Sequence, residues 1–244
     1  VTETAANATA IARWSKLPTN VLEAHQLDGD FPKRHLLNDH LLNLLGELPG
    51  RRLLDAGAGE GYLSRILARA GARVTAVEPA GGLVDRIRQL EQAEPLGLEI
   101  QQQDLTEFRA EQPYDAVVCS MVLQAIPDWR PALAACVAAV KPGGQLVIAL
   151  VHPAFENLWT VWREHGDYRL TGYLAEYEIK AAYASDFHRP LSTYLNAIIE
   201  AGCRLTSVIE PGLDPEVARE SGIEAIEAYV DLPNFVIIAA ERPA

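Results

Sequence analysis

Three glycines at alternate positions, Gly57, Gly59 and Gly61, follow Asp55 and precede an amphipathic run. Glycines in such a turn let a ligand approach the main chain, and the helix behind them opens with unpaired N–H groups. Seventeen residues after Gly61 a second apolar run ends in Glu78, where a carboxylate can accept both hydroxyls of a ribose. The dinucleotide fingerprint G-x-G-x-x-G is not met, because the third glycine comes one residue early and Tyr62 stands at the next position. An acidic residue just before the loop repels a diphosphate and suits a cationic amine. The chemistry expected is binding of an amino-acid nucleoside rather than NAD.

The elements around this loop alternate. RRLLDAG reads as a strand, YLSRILARAG as a helix closed by Gly71, RVTAVE as a strand and Leu83–Ala93 as a helix. LEIQQQ, YDAVVCS and GQLVIAL are further strands; Arg130–Val140 is a helix stopped by a KPGG turn. Before them, Leu36, Leu37, Leu41, Leu44, Leu45 and Leu48 recur at helical spacing up to Pro49-Gly50. After residue 189, Pro190 opens a helix to Ala201, CRLTSVIE is a strand, Pro215–Tyr229 is helical and NFVIIAA is the last strand. Such alternation predicts βαβ units, a parallel sheet covered on both faces, and an antiparallel pair at one edge. Residues 1–33 read as an N-terminal helical arm, and residues 34–244 as one domain with a cap over 152–188.

In this order and spacing, DAGAGEG at 55–61, VEP at 77–79, QDL at 103–105, YDAVVCSMVLQAIPD at 114–128 and KPGGQLVIA at 141–149 resemble the class I S-adenosylmethionine-dependent methyltransferases. The resemblance covers residues 34–150. It implies a doubly wound, seven-stranded, mostly parallel α/β sheet of order 3-2-1-4-5-7-6 with strand 7 antiparallel. It also implies S-adenosylmethionine as cofactor and S-adenosylhomocysteine as product. On the matching positions, Asp55 and the backbone at Gly57 hold the methionine amine, while Gly59 and Gly61 allow close approach. Glu78 takes the ribose hydroxyls beside Pro79, Asp104 faces the adenine amino group, and Leu105 touches the ring. Ser120 and Met121 lie beside the methionine portion. The fourth strand ends in CSMV rather than an Asn- or Asp-Pro-Pro-aromatic motif, which argues against methylation of nucleic-acid bases. Leu123-Gln124-Ala125 lacks the His that small-molecule members often carry there, so Gln124 is given no catalytic role.

The cap supplies a different signal. Residues 152–188 hold 8 of the 17 aromatic residues, about three times their share by length. Aromatic walls with polar tips suit a pocket for a small, partly apolar molecule. Phe155, Trp159, Trp162, Tyr173 and Tyr177 are the expected acceptor contacts. His152 directly follows the fifth strand and His188 ends the cap. Ligands of open α/β sheets bind at the carboxyl ends of the strands, so either imidazole is a candidate base for a hydroxyl acceptor.

Composition closes off other classes. A net charge of −12 with dispersed arginines lacks the basic cluster that nucleic acid or an anionic membrane demands. Three scattered cysteines suggest a reducing compartment, no metal-ligand spacing is present, and the default location is the cytoplasm. The function expected is methyl transfer to a small organic acceptor, oxygen before nitrogen or carbon. A non-catalytic S-adenosylmethionine-binding regulatory or scaffold protein and a cyclase on the same fold are the rivals. A homodimer through the amphipathic arm is the candidate assembly.

Overall fold

Buried runs alternating with amphipathic ones build the expected sheet. The computed structural model describes residues 3–18, 28–181 and 183–244; the expected arm at 19–27 lies outside the described residues. The chain runs through α1 (Glu3–Trp14), a π-helical turn at Lys33–Leu37, α2 (Asn38–Leu45), β1 (Arg52–Ala56), α3 (Tyr62–Arg69), β2 (Arg73–Val77), α4 (Gly81–Ala93), β3 (Glu99–Gln101) and β4 (Tyr114–Ser120). A 3-10 turn (Leu123–Ala125), α5 (Arg130–Ala139) and β5 (Val140–Val151) follow. Next come α6 (Leu158–His165), β6 (Tyr177–Lys180), β7 (Ser185–His188), α7 (Leu191–Glu200), β8 (Arg204–Ile209), α8 (Pro215–Ser221), α9 (Ala228–Asp231) and β9 (Phe235–Glu241).

Seven strands pair in the order β3-β2-β1-β4-β5-β9-β8, with β6 and β7 forming a separate hairpin. Within the large sheet this is the expected 3-2-1-4-5-7-6. Every pair from β3 to β5 is parallel, and β9 runs antiparallel to both neighbours. Central strands covered on both faces read as unbroken buried runs, as in β1 and β9, whereas the edge strand β8 alternates exposed and half-buried residues. Trp129, Leu133, Tyr194 and Ile198 from α5 and α7 pack on one face. Leu36, Leu37, Leu41, Leu63 and Leu67 pack on the other. All the parallel strands therefore deliver their carboxyl ends to one side.

Four expectations are corrected. The run Arg34–Leu48 begins as the π-helical turn and is α-helical only over Asn38–Leu45. KPGG is not a free turn but part of β5, where the register against β4 slips between Tyr114 and Ala116. Arg242 stitches it down: Gly143 N donates to the Arg242 carbonyl, and the Arg242 guanidinium donates to Ala138 O at the end of α5. Pro215–Tyr229 breaks at Gly222, whose left-handed backbone ends α8. The cap, which showed no clean period, folds as α6 and the β6–β7 hairpin. Among the described residues no helix is long and apolar enough to cross a membrane.

Candidate active site

A cavity of 440 Å³ opens at the carboxyl ends of β1, β2 and β4. Gly57, Gly59, Glu78, Pro79, Asp104, Leu105, Ser120 and Met121 all line it, so sequence-distant motifs meet in one place. Gly57 has φ +80°, and a Cβ there would sit 2.6 Å from the Val122 side chain. Gly59, at φ +58°, faces open space. Its bare backbone is thus available to a ligand.

Two carboxylates fix the loop from below. Glu78, on the exit from β2, accepts from Gly59 N and Ala80 N, both at 2.9 Å. It therefore ties the glycine loop to the start of α4 while lining the cavity. Burial pushes its carboxyl up to about 7, against the pull of those two N–H groups. Asp55 is different. It is buried, accepts from Ser64 Oγ at 2.6 Å, and does not line the cavity. Burial raises its carboxyl to about 6. The cavity contact expected of Asp55 is not seen: its carboxylate is held by Ser64 of α3 instead. Gly61 likewise sits at the N-cap of α3, its missing side chain facing Ile87.

Sequence reasoning missed several lining residues. Asn7, Ile11 and Trp14 of α1 close one side. The helix is latched there, since Asn7 exchanges hydrogen bonds with Asp128 and Gly81 N donates to Ser15 Oγ. Ile11 and Trp14 thus turn their apolar side chains to the cavity. Glu60 and Gln124 also line the cavity. Five carboxylates (Asp30, Glu60, Glu78, Asp104 and Asp186) face one Lys33, which is itself paired with Asp30 at 3.3 Å. Such a field favours a cation and opposes a diphosphate. Tyr62 Oη and Ser120 Oγ on the wall face each other, while the buried Gln124 Oε1 has no hydrogen-bond partner. Buried polar groups are rarely left so unless a ligand or water completes them.

A second cavity of 230 Å³ lies under the cap. It shares Gln124, Asp186 and Asn234 with the first, so the two meet at those side chains. Of the aromatic contacts expected, only Trp159 lines it, joined by Phe187, Tyr194 and Tyr229. Phe155 packs between His152 and Tyr168. Trp162 donates to Glu227 from the outer wall. Tyr173 and Tyr177 enclose the His188 ring, the latter stacked at 4.6 Å. None of these four lines either cavity: Phe155, Tyr173 and Tyr177 meet other cap residues, Tyr177 while itself exposed, and Trp162 reaches Glu227 just before α9.

Neither histidine faces either cavity. His152 Nδ1 accepts from Ala154 N at 3.1 Å, so Nε2 carries the proton and donates to Glu210 at 2.7 Å. Both nitrogens are engaged; the base role expected of His152 gives way to bracing the end of β5. His188 is 1% exposed and its Nε2 donates to the Tyr173 carbonyl at 2.9 Å. Its Nδ1 lies 2.9 Å from Glu156 Oε2 as an ion-pair contact, off the line of a good hydrogen bond.

This strand order, with a glycine loop after β1 and an acid ending β2, defines the class I S-adenosylmethionine-dependent methyltransferase fold. Residues 54–148 match a family model described as a methyltransferase domain. The chain is 37% identical over 149 residues to a ubiquinone biosynthesis O-methyltransferase of Xanthomonas campestris, covering 57% of this chain and 62% of that protein. It thus spans under two thirds of that relative's length. Among solved structures, an S-adenosylmethionine-dependent methyltransferase from Mesorhizobium loti superimposes with TM-score 0.73 at 24% identity, over 89% of this chain and 100% of the other. A magnesium protoporphyrin IX methyltransferase from Synechocystis with bound S-adenosylhomocysteine gives TM-score 0.62 at 19% identity, over 92% and 94%.

Proposed function

We propose that this protein transfers a methyl group from S-adenosylmethionine to a small, partly apolar organic acceptor, on oxygen in the first instance. One observation carries the reading: a cavity built from the cofactor motifs meets a second, smaller cavity at Gln124, Asp186 and Asn234. A donor and an acceptor site that touch are what group transfer needs, since alignment of the reacting atoms supplies much of the rate. Residues 34–244 then act as one domain, with the cap covering the acceptor.

The donor fits the first cavity on its own chemistry. S-adenosylmethionine bears a sulfonium and an amine, which suit the acidic lining. Glu78 takes the ribose hydroxyls, Asp104 and Leu105 hold the adenine, and the backbone at Gly57 and Gly59 lies against the methionine portion. Gln124 offers an unpaired polar atom that such a ligand would complete. When bound, the sulfonium supplies an already activated methyl; the chain has only to exclude water, align the acceptor and receive a proton. Oxygen is favoured by the likeness to an O-methyltransferase. The acidic mouth makes a nucleic acid an unsuitable acceptor.

The test is incubation with methyl-labelled S-adenosylmethionine and a panel of one-ring phenols, read by mass spectrometry. A gain of one labelled methyl is expected. Unchanged phenols throughout, with the cofactor still bound, would favour a binding protein, and an isomerised product would favour a cyclase.

A further inference from the structure

Only one of the three residues common to both cavities can take a proton. Gln124 and Asn234 are amides; Asp186 is a carboxylate. We propose that Asp186 receives the acceptor's proton during methyl transfer, and that the second cavity accordingly takes a neutral hydroxyl- or amine-bearing acceptor rather than a carboxylate or phosphate. This rests on the methyl-transfer reading above.

The position of Asp186 is set by the backbone. It lies on β7, opposite Ile179 of β6. Three residues on, Arg189 pins the end of the hairpin to the loop after β4. Its guanidinium donates to the carbonyls of Leu123, Ile126 and Pro127 and to Tyr194 Oη. Burial raises the Asp186 carboxyl above its ordinary range, and the nearby Arg189 cation offsets part of that rise, while the guanidinium Nη groups are directed elsewhere. Among the described residues no donor is within hydrogen-bonding distance of the Asp186 carboxylate, which leaves its lone pairs to a ligand.

The other titratable groups nearby are committed. His152 has both nitrogens engaged and lines neither cavity. His188 is buried, stacks on Tyr177, has Nε2 engaged by the Tyr173 carbonyl and Nδ1 against Glu156, and lines neither cavity. Charge also sorts the acceptors. Asp186 and Glu156 both face the second cavity, and Arg189, the cation among its described lining residues, has four of its five N–H groups taken by carbonyl and hydroxyl partners. An anionic acceptor would meet two carboxylates against one cation whose Nη groups are already engaged, at an energy penalty. A hydroxyl or amine would instead donate to Asp186.

The step balances. The acceptor's lone pair forms the new bond to the methyl carbon as the C–S pair withdraws onto sulfur. The O–H or N–H proton passes to Asp186, leaving a neutral thioether, a methylated acceptor and a protonated carboxyl.

Sinefungin tests the placement without a known acceptor, because it carries a primary ammonium where the sulfonium carries its methyl. Wild type is expected to prefer sinefungin to S-adenosylhomocysteine at least tenfold by calorimetry. Asp186→Asn should abolish the preference while S-adenosylhomocysteine affinity stays within about threefold; Asp186→Ser is the second variant should the amide disturb the hairpin. Glu156→Gln should retain the preference. In the labelled-methyl assay Asp186→Asn should lower kcat at least ~100-fold with little change in KM. A sinefungin preference that survives both Asp186 variants, or a kcat loss under tenfold, overturns the proposal. If wild type binds neither ligand, the cofactor reading itself has failed and takes this inference with it.

Discussion

The two halves of the site obey different rules. Between residues 34 and 150 each binding group is fixed by backbone geometry: a glycine where φ is positive, an acid where a strand ends, a helix N-terminus facing a cavity. Between residues 152 and 188 the groups are side chains on a small helix and a hairpin, and direction decides everything. Eight aromatics lie in the cap, yet Tyr173 and Tyr177 wrap His188 while Trp159 alone of the five expected contacts reaches the second cavity. Motifs tied to the main chain are readable from spacing; a pocket made by side-chain direction is not.

The sharpest break of the cofactor half should come at Gly57. Gly57→Ala puts a Cβ within 2.6 Å of Val122 on a backbone at φ +80°. The left-handed conformation costs about 1–2 kcal/mol and overpacking a further 1–3 kcal/mol. Loss of S-adenosylhomocysteine binding by at least ~100-fold and a lower melting temperature are expected. Binding within threefold of wild type would show that the loop has room the structure denies it.

Glu78 should come next. Glu78→Ala removes the acceptor for the ribose and also leaves Gly59 N and Ala80 N unpaired. Affinity should fall at least tenfold, since charge-assisted hydrogen bonds contribute about 1.5–3 kcal/mol, and the protein should melt earlier. Glu78→Gln separates the two effects by keeping most of the bracing. The pH dependence follows from burial, which raises this carboxyl from 4.5 to about 7. The folded chain holds the proton more tightly than the unfolded one. Its contribution to stability is therefore complete below about 4.5 and lost as pH rises through about 7. Ribose hydroxyls donate to the ionised form, so S-adenosylhomocysteine affinity should increase about tenfold from pH 6 to pH 8 in wild type. In Glu78→Gln the affinity should be nearly flat; a wild-type affinity flat over that range would contradict the assignment.

The smallest effect should come from the residue that position alone made most attractive. His152→Ala removes a brace, with Ala154 N and Glu210 losing a partner. About 1 kcal/mol of stability should go, and turnover should change less than threefold. A hundredfold fall with S-adenosylhomocysteine affinity intact would return His152 to the chemistry.

The sheet order and the eight expected residues that line the larger cavity were legible because they sit at strand ends and turns. Asp55 was legible as part of a motif but not as a residue turned under the loop, since Ser64, nine residues on, is what captures it. Gln124 was passed over for not being histidine, although its Oε1 is left unpaired where the cavities meet. Asp186 looked like one acid among the six in the cap; only the pairing of β7 with β6 shows where it lies.

The central claim is that the larger cavity takes S-adenosylmethionine and not a dinucleotide. Thermal unfolding with S-adenosylhomocysteine at about 100 times its dissociation constant measures this most directly. A gain of ~2.7 kcal/mol is expected, seen as a rise of roughly 5–10 °C in Tm for a chain of this size, with NAD at the same concentration leaving Tm unchanged. A larger rise with NAD, or none with S-adenosylhomocysteine up to millimolar levels, would contradict the account.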